Sequence, residues 1–459
     1  MKIVRLSLVT KLGHIFLAVF AINYVQAADF YVAQNGQSPN HPYTTWMKAA
    51  SNIQDAVNAA GTNDTVWVGS GRYTVPTNSV NHVGTNVVYI NKPIILRSSN
   101  GAPDSTVIDG EGNNRGIAVV HTVSTSNRFV INGFTVSNCY ATNHGGGITF
   151  AAHLTDSAWT GEVYNCIISD NTVAWGTNSG THSEEYGARG GGIGVNRTIA
   201  GFGVIISNCI IRANRALSLS APAYTGSGGG FYLRGAGQRL IISCTIESNI
   251  SDSGGGGTVA KNATMQNCIF RNNNATSLET GGGGLYLNTG IHVLQNCLFY
   301  NNASAYRGGG IFEVYGKIEI YNSTVASNRA AADGGSAIGL RFVNQGAGLR
   351  MANAIIYSNA NDNFYMDLST NSFFTNSCLS STNGLLGTGN LTNNPVFTDC
   401  ARNNYRPSRG SPCINSGITR FWTGGGYDLD NRSRVDHFSG MIDMGCYEYN
   451  PRGLMFKVR

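Results

Sequence analysis

The apolar and polar residues in the middle of the chain follow one repeated phrase. Each copy has an Asn, a small residue, alternating apolar residues and a second Asn six positions after the first, and a loop then leads to a run of Gly. Because loops can project sideways from a stack, a coil of parallel strands tolerates variable spacing, whereas a helical repeat does not. The pattern therefore predicts a solenoid of parallel β-strands. The copies begin at Asn132, Asn165, Asn208, Ser243, Asn267, Asn296, Asn322 and Asn353.

Stacking of these copies predicts columns of equivalent side chains. The small residue after the first Asn and an apolar residue three positions before the second Asn should both point inward. The second Asn should form a hydrogen-bonded ladder at a corner, in left-handed backbone geometry. The Gly runs indicate turns with positive φ rather than phosphate-binding loops, since strands flank them on both sides. The small column is predicted to run through Gly133, Cys166, Cys209, Cys244, Cys268, Cys297, Ser323 and Ala354. The predicted ladder consists of Asn138, Asn171, Asn214, Asn249, Asn273, Asn302, Asn328 and Asn359.

These motifs resemble known repeats. The combination of Gly309-Gly310-Ile311 with a phrase such as Phe270 to Asn273 resembles the repeats of the polymorphic outer membrane proteins. More broadly, the region from about residue 130 to about residue 360 resembles right-handed parallel β-helix proteins of the pectin-lyase-like fold. The resemblance implies an all-β, single-stranded right-handed parallel β-helix. It is much less specific for activity.

The N-terminal part of the chain contains one helical pattern. Ile53, Ala56, Val57 and Ala60 recur at helical spacing, so a short amphipathic helix is predicted within Trp46 to Ala60. This segment resembles the helix that covers the first rung of pectin-lyase-like proteins. We therefore divide the chain into a signal peptide (1–27), an N-terminal cap with the first rungs (28–130), the repeat β-helix (131–375) and a C-terminal region (376–459).

The C-terminal region resembles the choice-of-anchor Q domain, which closes many bacterial β-helix proteins. The resemblance is carried by four motifs: Asn404-Tyr405-Arg406, Gly410-Ser411-Pro412-Cys413-Ile414, Asp428-Leu429-Asp430 with Arg434, and Asp443-Met444-Gly445-Cys446-Tyr447-Glu448. It implies an irregular C-terminal cap, after which a membrane anchor can follow in that family. Residues 450–459 are too few to span a bilayer, so we expect release or noncovalent retention at the cell surface or outer membrane.

Composition and charge narrow the classes of function. The chain has 459 residues, of which 59 are Gly and 12% are charged, which excludes long helical bundles and the usual disordered compositions. Residues 1–27 combine three basic residues, an apolar stretch and Val25-Gln26-Ala27, so a cleaved signal peptide is predicted. Removal of three positive charges from the formal +6 leaves +3. This balance does not indicate nucleic acid as a partner, and we expect an exported monomer without a transmembrane helix.

Ten cysteines in an exported chain would ordinarily suggest disulfides. The five in the small column should instead be buried free thiols, because adjacent parallel strands hold their Cβ atoms too far apart and in parallel directions. Cys139 is interpreted as out of register and unpaired. No paired Cys or Cys/His spacing indicates zinc. The remaining four leave three connectivities open: Cys378, Cys400, Cys413 and Cys446.

The candidate chemistry lies in loops rather than in the repeated strands. Acidic residues fall singly along the repeats, so no column of carboxylates indicates acid/base catalysis. Calcium at Asp428-x-Asp430 is disfavoured because the next alternate position is Arg432, and no cofactor is expected. Two consecutive long loops combine aromatic and charged residues, and they are either solvated insertions or a sugar-binding edge. The candidate ligand-binding residues are Trp175, His182, Glu184, Glu185, Tyr186, Arg189, Arg215, Tyr224, Tyr306 and Arg307.

Three functional hypotheses follow from this pattern. The leading one is an exported, nonenzymatic β-helix that presents its loop edge to extracellular polysaccharide or to a cell surface. The second is a polysaccharide lyase or glycoside hydrolase acting on an acidic extracellular polysaccharide. The third is an adhesin-like surface protein without a saccharide ligand.

Overall fold

A computed structural model shows a chain that winds through successive rungs of parallel strands. It describes residues 27–75, 80–81, 84–121, 128–152, 159–175, 187–195, 201–219, 226–235, 237–331, 334–341, 348–361, 363–366, 372–381, 386–421, 426–437 and 439–449. The predicted signal peptide lies almost entirely outside the described residues. Each complete rung crosses four strand positions in order, which we call sheets 1 to 4.

Sheets 1 and 2 are joined by β28 (Leu285–Gln295) and β31 (Ile311–Tyr321), which run through both without a break. Sheet 1 contains β5 (Gly84–Ile90), β8 (Arg115–His121), β12 (Ile148–Ala152), β16 (Ile193–Val195), β20 (Phe231–Leu233), β24 (Gly257–Ala260), β33 (Ile338–Arg341), β36 (Phe364–Met366) and the first halves of β28 (Leu285–Gln295) and β31 (Ile311–Tyr321). Sheet 2 contains β1 (Asp29–Val32), β2 (Thr65–Val68), β6 (Ile95–Ser98), β9 (Arg128–Asn132), β13 (Thr160–Tyr164), β17 (Gly203–Ser207), β21 (Arg239–Ile242), β25 (Ala263–Gln266), β34 (Gly348–Ala352), β37 (Phe373–Thr375), β39 (Leu386–Thr388) and the second halves of β28 and β31.

Sheets 3 and 4 complete each turn of the coil. Sheet 3 contains β3 (Gly71–Tyr73), β7 (Thr106–Asp109), β10 (Thr135–Ser137), β14 (Ile167–Ser169), β18 (Ile210–Arg212), β22 (Thr245–Glu247), β26 (Ile269–Arg271), β29 (Leu298–Tyr300), β32 (Thr324–Ala326), β35 (Ile355–Tyr357) and β38 (Cys378–Leu379). Sheet 4 contains β11 (Tyr140–Ala141), β15 (Thr172–Trp175), β19 (Arg215–Ser218), β23 (Ile250–Ser251), β27 (Asn274–Ala275) and β30 (Ala303–Ser304). Two short antiparallel pairs also occur, β4 (Val80–Asn81) with β5, and β40 (Phe397–Asp399) with β41 (Asn404–Pro407).

The core is the space enclosed by the four sheets. Strand residues alternate between inward and outward directions, so the apolar side chains of each strand enter one continuous buried core. In sheet 3, the middle residue of each strand points inward, and the rings of Phe270 and Phe299 stack 4.6 Å apart in adjacent rungs. The fold is therefore the right-handed parallel β-helix that the repeated phrase predicts.

The Asn ladder is a continuous chain of buried hydrogen bonds. The Nδ2 of Asn214 donates to the Oδ1 of Asn249 at 3.0 Å, and the Nδ2 of Asn249 donates to the Oδ1 of Asn273 at 3.0 Å. Each Oδ1 also accepts from the backbone N–H of the Asn in the preceding rung. Because the corner backbone is buried, these side chains satisfy donors and acceptors that water cannot reach. The side-chain bonds run from Asn171 through Asn214, Asn249, Asn273, Asn302 and Asn328 to Asn359.

The first copy is shifted by one residue relative to the sequence assignment. Asn138 does not belong to the ladder: its backbone has a φ of 52°, and its Nδ2 donates to Asp109. Cys139 occupies the ladder position instead, since its backbone N–H donates to the Oδ1 of Asn171 at 3.1 Å. The inward column likewise passes through Phe134 rather than Gly133, because Thr135 pairs with Ile167. Cys139 therefore lies outside the cysteine column and is unbridged, as the sequence predicts, and it takes the position of a ladder Asn.

The left-handed backbone geometry also falls elsewhere than predicted. It occurs at the first Asn of each phrase, as at Asn165 with a φ of 51°, and at the residue before the second Asn, as at Asp170 with a φ of 58°. The ladder Asn itself, such as Asn171, does not have a positive φ, and it is buried. Asn and Asp tolerate positive φ, which explains why polar residues occupy these corners.

The cysteine column lies inside the coil. Cys166, Cys209, Cys244, Cys268 and Cys297 are buried and unbridged, in successive rungs. Each thiol points at the carbonyl oxygen two residues earlier, as between the Sγ of Cys209 and the oxygen of Ser207 at 3.2 Å. They fill the corner between sheets 2 and 3 as small apolar groups.

The N-terminal helix α1 (Ile53–Ala59) is shorter than the predicted segment, because Trp46–Lys48 forms a separate 3-10 turn. The side chain of Asn52 accepts from the backbone N–H of Asp55 and so caps the helix. Buried Ile53, Ala56 and Val57 pack into the core beside β1, β2 and β5. Among the described residues, no helix has the length and apolar character needed to cross a membrane.

The C-terminal region is irregular and covers the outer face of sheet 3 along the later rungs. Tyr405, Cys446 and Tyr447 pack on Leu298 and Tyr300. Hydrogen bonds fasten this covering segment to the coil at several rungs, including Cys446 to Thr324 and the paired bonds between Asn353 and Ile418. The outward apolar residues of sheet 3 are thereby removed from water. The described part of the chain contains three further 3-10 turns, at Pro103–Ser105, Cys400–Arg402 and Thr419–Phe421.

One ionisable pair is enclosed in the core. Glu313 points inward from sheet 1 at a position occupied by Leu287 and Leu340 in the neighbouring rungs. Its carboxyl oxygen lies 3.7 Å from the Nε2 of His292, and both side chains are fully buried. Burial raises the pKa of Glu313 well above its usual value and lowers the pKa of His292 to about 4. Burial therefore disfavours the charged form of both groups.

Asn249→Ala should destabilise the fold by about 2–4 kcal/mol, because it leaves several buried polar groups of the neighbouring rungs without partners. Urea unfolding monitored by circular dichroism measures the change. Asn208→Gly is the matched control, since Asn208 lies at an exposed corner with a φ of 53°, which Gly adopts without strain. Equal losses in the two variants would contradict the structural role of the ladder.

Glu313→Gln should become more stable relative to the natural chain as pH rises above about 4.5. The folded chain keeps a proton on Glu313 that the unfolded chain releases above that pH, so natural stability falls with rising pH through this window. Gln carries no such proton, and the contributions of other groups cancel in the difference between the two chains. Unfolding free energies measured from pH 5 to about pH 8 test the expectation. A difference that is constant over this range would contradict it.

Candidate functional site

Two arginines occupy the same position in the turns that enter sheet 1. The backbones of Arg189, Ser227, Ser253, Gly281 and Arg307 stack in successive rungs through hydrogen bonds to the following Gly residues. Arg189 and Arg307 are thus four rungs apart, or about 19 Å at the usual strand spacing of about 4.8 Å. Small residues occupy the three rungs between them.

Aromatic residues occupy the neighbouring outward column of sheet 1. In this sheet the middle residue of each three-residue segment after the Gly run points away from the core. The column therefore contains an aromatic side chain in four of six consecutive rungs. In order along the coil, its members are Tyr232, Thr258, Tyr286, Phe312, Gly339 and Tyr365.

The two arginines stack on this column. The guanidinium of Arg189 lies 5.0 Å from the ring centre of Tyr232 and donates to its hydroxyl at 3.2 Å. The guanidinium of Arg307 lies 3.6 Å from the ring centre of Tyr365 and 4.6 Å from that of Tyr306. These are cation–π contacts, which hold each flat guanidinium against the surface.

Gly339 allows the second of these contacts. A Cβ at this position would lie 2.8 Å from a ring carbon of Phe312 and 3.3 Å from the Cβ of Arg307. Because Gly lacks that atom, Arg307 passes over its rung and reaches Tyr365 two rungs away. Tyr306 completes the cluster by packing edge-on against Phe312 at 6.0 Å.

We call this set the arginine–aromatic face: Arg189, Tyr232, Tyr286, Tyr306, Arg307, Phe312 and Tyr365. Phe312 is 2% exposed and forms its floor, whereas the two arginines, Tyr286, Tyr306 and Tyr365 are half-buried. Burial raises the pKa of Tyr286 to about 12, so its hydroxyl stays protonated at neutral pH. The charge of the face is therefore carried by its arginines.

The acidic residues beside this face are few in the part of the chain that the structure describes. Glu279 is exposed two residues before Gly281, whose backbone stacks on that of Arg307. Asp252 is 7% exposed, and its carboxylate accepts from the backbone N–H groups of Ser218 and Gly226. Asp252 thus stabilises the end of sheet 4 through these hydrogen bonds.

The structure brings together only part of the predicted loop edge. Arg189, Tyr306 and Arg307 share the arginine–aromatic face. Trp175 lies at the end of β15 and packs on a small buried cluster that includes Ala188, next to Arg189. Arg215 pairs with Thr172, the first residue of β15. It lies on the outer side of sheet 4 and is not part of the face. Four predicted residues in the first long loop and one in the second lie outside the described residues: His182, Glu184, Glu185, Tyr186 and Tyr224.

The four aromatic residues of sheet 1 were not predicted from the sequence. In the sequence, three of them stand two positions after the last residue of a Gly run, as in Gly230-Phe231-Tyr232 and Gly284-Leu285-Tyr286, whereas Tyr365 follows Asn363-Phe364. A three-residue strand does not show by itself which of its residues points outward. The assignment required the register of the neighbouring strands.

Metal ligands are not assembled in the described part of the chain, where no group of three or more His, Cys, Asp or Glu could hold an ion. At the Asp428-x-Asp430 pair, where calcium is disfavoured by the sequence, the Oδ1 of Asp428 accepts from the backbone N–H groups of Asp430 and Arg432, each at 2.8 Å. Asp430 forms a bidentate pair with Arg406. The residues at this position therefore form an Asp–Arg network.

Comparison with known proteins agrees with this architecture. A family model described as a right handed beta helix region matches residues 153–325. Among solved structures, pectate lyase Pel9A is similar, with a TM-score of 0.57 and 16% identity, over 92% of this chain and 96% of that chain. A pectin methylesterase mutant in complex with a hexasaccharide aligns over 77% of this chain and 79% of that chain, at 9% identity and a TM-score of 0.23, which is too low to support an argument. No curated protein matches the sequence.

The parallel rungs, the matched family model and the similarity to the pectate lyase fold show that the protein is a right-handed parallel β-helix. At 16% identity the similarity extends to the fold alone. The arginine–aromatic face is therefore interpreted from its own chemistry.

Proposed function

We propose that the protein is an exported β-helix that binds an extended, acidic polysaccharide along its arginine–aromatic face. The observation that carries the proposal is the stacking of Arg189 on Tyr232 and of Arg307 on Tyr306 and Tyr365 along one face of the coil. In this proposal the protein is nonenzymatic and acts at the cell surface or in the extracellular space.

The aromatic rings favour a sugar ligand. A pyranose ring has apolar C–H faces and polar edges, so it packs against an aromatic ring while its hydroxyls remain hydrogen-bonded. Tyr286, Tyr306 and Tyr365 are half-buried and supply such surfaces together with a polar hydroxyl. Because the strand spacing of about 4.8 Å is similar to the advance of one sugar residue, a linear glycan parallel to the axis can meet successive rungs in register.

The arginines favour an acidic polymer. A guanidinium presents several N–H groups in one plane and pairs with carboxylate in a bidentate manner. Stacking already restricts Arg189 and Arg307, so less conformational entropy is lost when a carboxylate binds. Arg341 is exposed on the same sheet, where it pairs with Val314 of the adjacent rung. It adds positive charge beside the face.

A polysaccharide lyase or hydrolase acting on an acidic polymer is the second candidate, favoured by the similarity in fold to a pectate lyase. Such activity requires a proton acceptor or a pair of carboxylates at the cleaved bond. On the described residues, the carboxylates near the face are Glu279 and the internally bonded Asp252. Binding without cleavage is therefore the better fit.

Arg307→Ala should weaken binding of polygalacturonate at least about 10-fold, because it removes both the charge and the group stacked between Tyr306 and Tyr365. Tyr286→Ala should weaken binding to a similar degree. Affinity electrophoresis and calorimetry in the presence of a chelator measure the change without interference from calcium gels. Methyl-esterified polygalacturonate, which keeps the shape and loses the charge, should bind more weakly than the acid.

Arg215→Ala is the matched control, because Arg215 is exposed and basic but lies on sheet 4 away from the face. Its affinity should equal that of the unchanged protein. Equal affinity of all variants for every polymer would contradict the proposed face, and absence of binding across a panel of acidic and neutral glycans would contradict the proposed function. Release of unsaturated or reducing ends during the assay would establish the enzymatic alternative.

A further inference from the structure

Two cysteines meet where the C-terminal segment lies on sheet 3. Cys378 is in β38, the last strand of that sheet, and its side chain points outward, because the next residue, Leu379, pairs with the inward residue Ile356. Cys413 comes from the covering segment and faces the coil. Both are fully buried and belong to one apolar cluster with Ile355 and Met444.

The two sulfurs are neighbours in this cluster. The thiol of Cys413 lies within hydrogen-bonding reach of Cys378, which together with burial raises the pKa of Cys413 above its usual range. Backbone hydrogen bonds hold both positions: Cys378 donates to Ala354 at 2.8 Å, and the oxygen of Cys413 accepts from Met444 at 3.0 Å. The pair is therefore set by the packing of two fixed segments.

This geometry differs from that of the cysteine column. Adjacent members of the column, such as Cys209 and Cys244, directly precede parallel-paired strands of one sheet, so their side chains have parallel directions. A disulfide needs Cβ atoms about 3.8 Å apart and directed toward each other. Segments packed face to face provide that direction, whereas neighbouring rungs of one sheet do not.

The remaining two cysteines are separated from this pair. Cys446 packs over Leu298 and Tyr300, and its backbone N–H donates to the hydroxyl of Thr324. Cys400 is partly exposed and packs against that other cluster. Of the three connectivities open in the sequence, the structure therefore favours the one that joins Cys378 to Cys413.

We propose that Cys378 and Cys413 form a disulfide that fastens the C-terminal segment to the last rungs of the β-helix. The oxidant is a small disulfide such as glutathione disulfide. One cysteine thiolate attacks the oxidant and releases one glutathione thiol, and the second cysteine then displaces the other from the mixed disulfide. The two cysteines lose two protons and two electrons, and the oxidant is reduced to two thiols.

Alkylation before reduction tests the bond on the full chain. After folding with glutathione disulfide and denaturation in the presence of an alkylating reagent, eight of the ten cysteines should be modified, since two are linked. Mass spectrometry of the unreduced digest should find a Cys378–Cys413 peptide pair. Cys378→Ser and Cys413→Ser should each give nine alkylated residues. Cys209→Ser, the matched control, should leave two cysteines protected.

Modification of all ten cysteines, or a linked pair of different composition, would overturn the assignment. Thermal unfolding supplies an independent measurement: reductant should lower the midpoint of the natural chain by about 5 °C and leave that of the double Ser variant unchanged. An equal response of both chains to reductant would also overturn it. Neither readout involves glycan binding, so the disulfide and the proposed function can fail separately.

Discussion

Hydrogen bonding between equivalent residues of successive rungs is the constraint on which this molecule depends. A single rung cannot satisfy its own backbone or enclose its own core, so each rung requires the next one. At the corner between sheets 3 and 4, where a turn would bury unpaired groups, the Asn side chains extend the backbone pairing through Asn214 and Asn249. Loops that leave the coil between these fixed positions change length without disturbing the stack.

The same constraint creates the outer surface. Because every rung repeats one backbone path, side chains at equivalent positions stand above one another at the strand spacing. Arg189 and Tyr365 are far apart in sequence, yet they belong to one face. Gly339 contributes because it has no Cβ, which lets Arg307 reach across a rung to Tyr365. Stacking that stabilises the interior therefore also aligns a surface suited to a linear polymer.

The repeated phrase could predict the columns, since a six-residue interval and variable loops are typical of a coil of strands. It could not predict the register of the first copy. Asn132 and Asn138 match the repeated phrase in sequence, but the structurally equivalent positions are the next residues, Gly133 and Cys139. The face was found only in part. The composition of the loops indicated Arg189 and Arg307 as candidates. Tyr286 lies in a strand segment that is too short to show from sequence which of its side chains point outward.

The two faces of the coil that carry large outward residues differ in whether another segment of the chain covers them. On sheet 3, the outward side chains at Leu298 and Ile355 are purely apolar, and the C-terminal segment covers them. On sheet 1, the outward rings of Tyr232, Tyr286 and Tyr365 carry hydroxyls, and a guanidinium stacks on Tyr232 and on Tyr365, so these rings remain stable while partly in water. Covering the first face contributes stability, and leaving the second open provides the proposed binding surface. Residues of the two faces can therefore be changed with separate effects on folding and on binding.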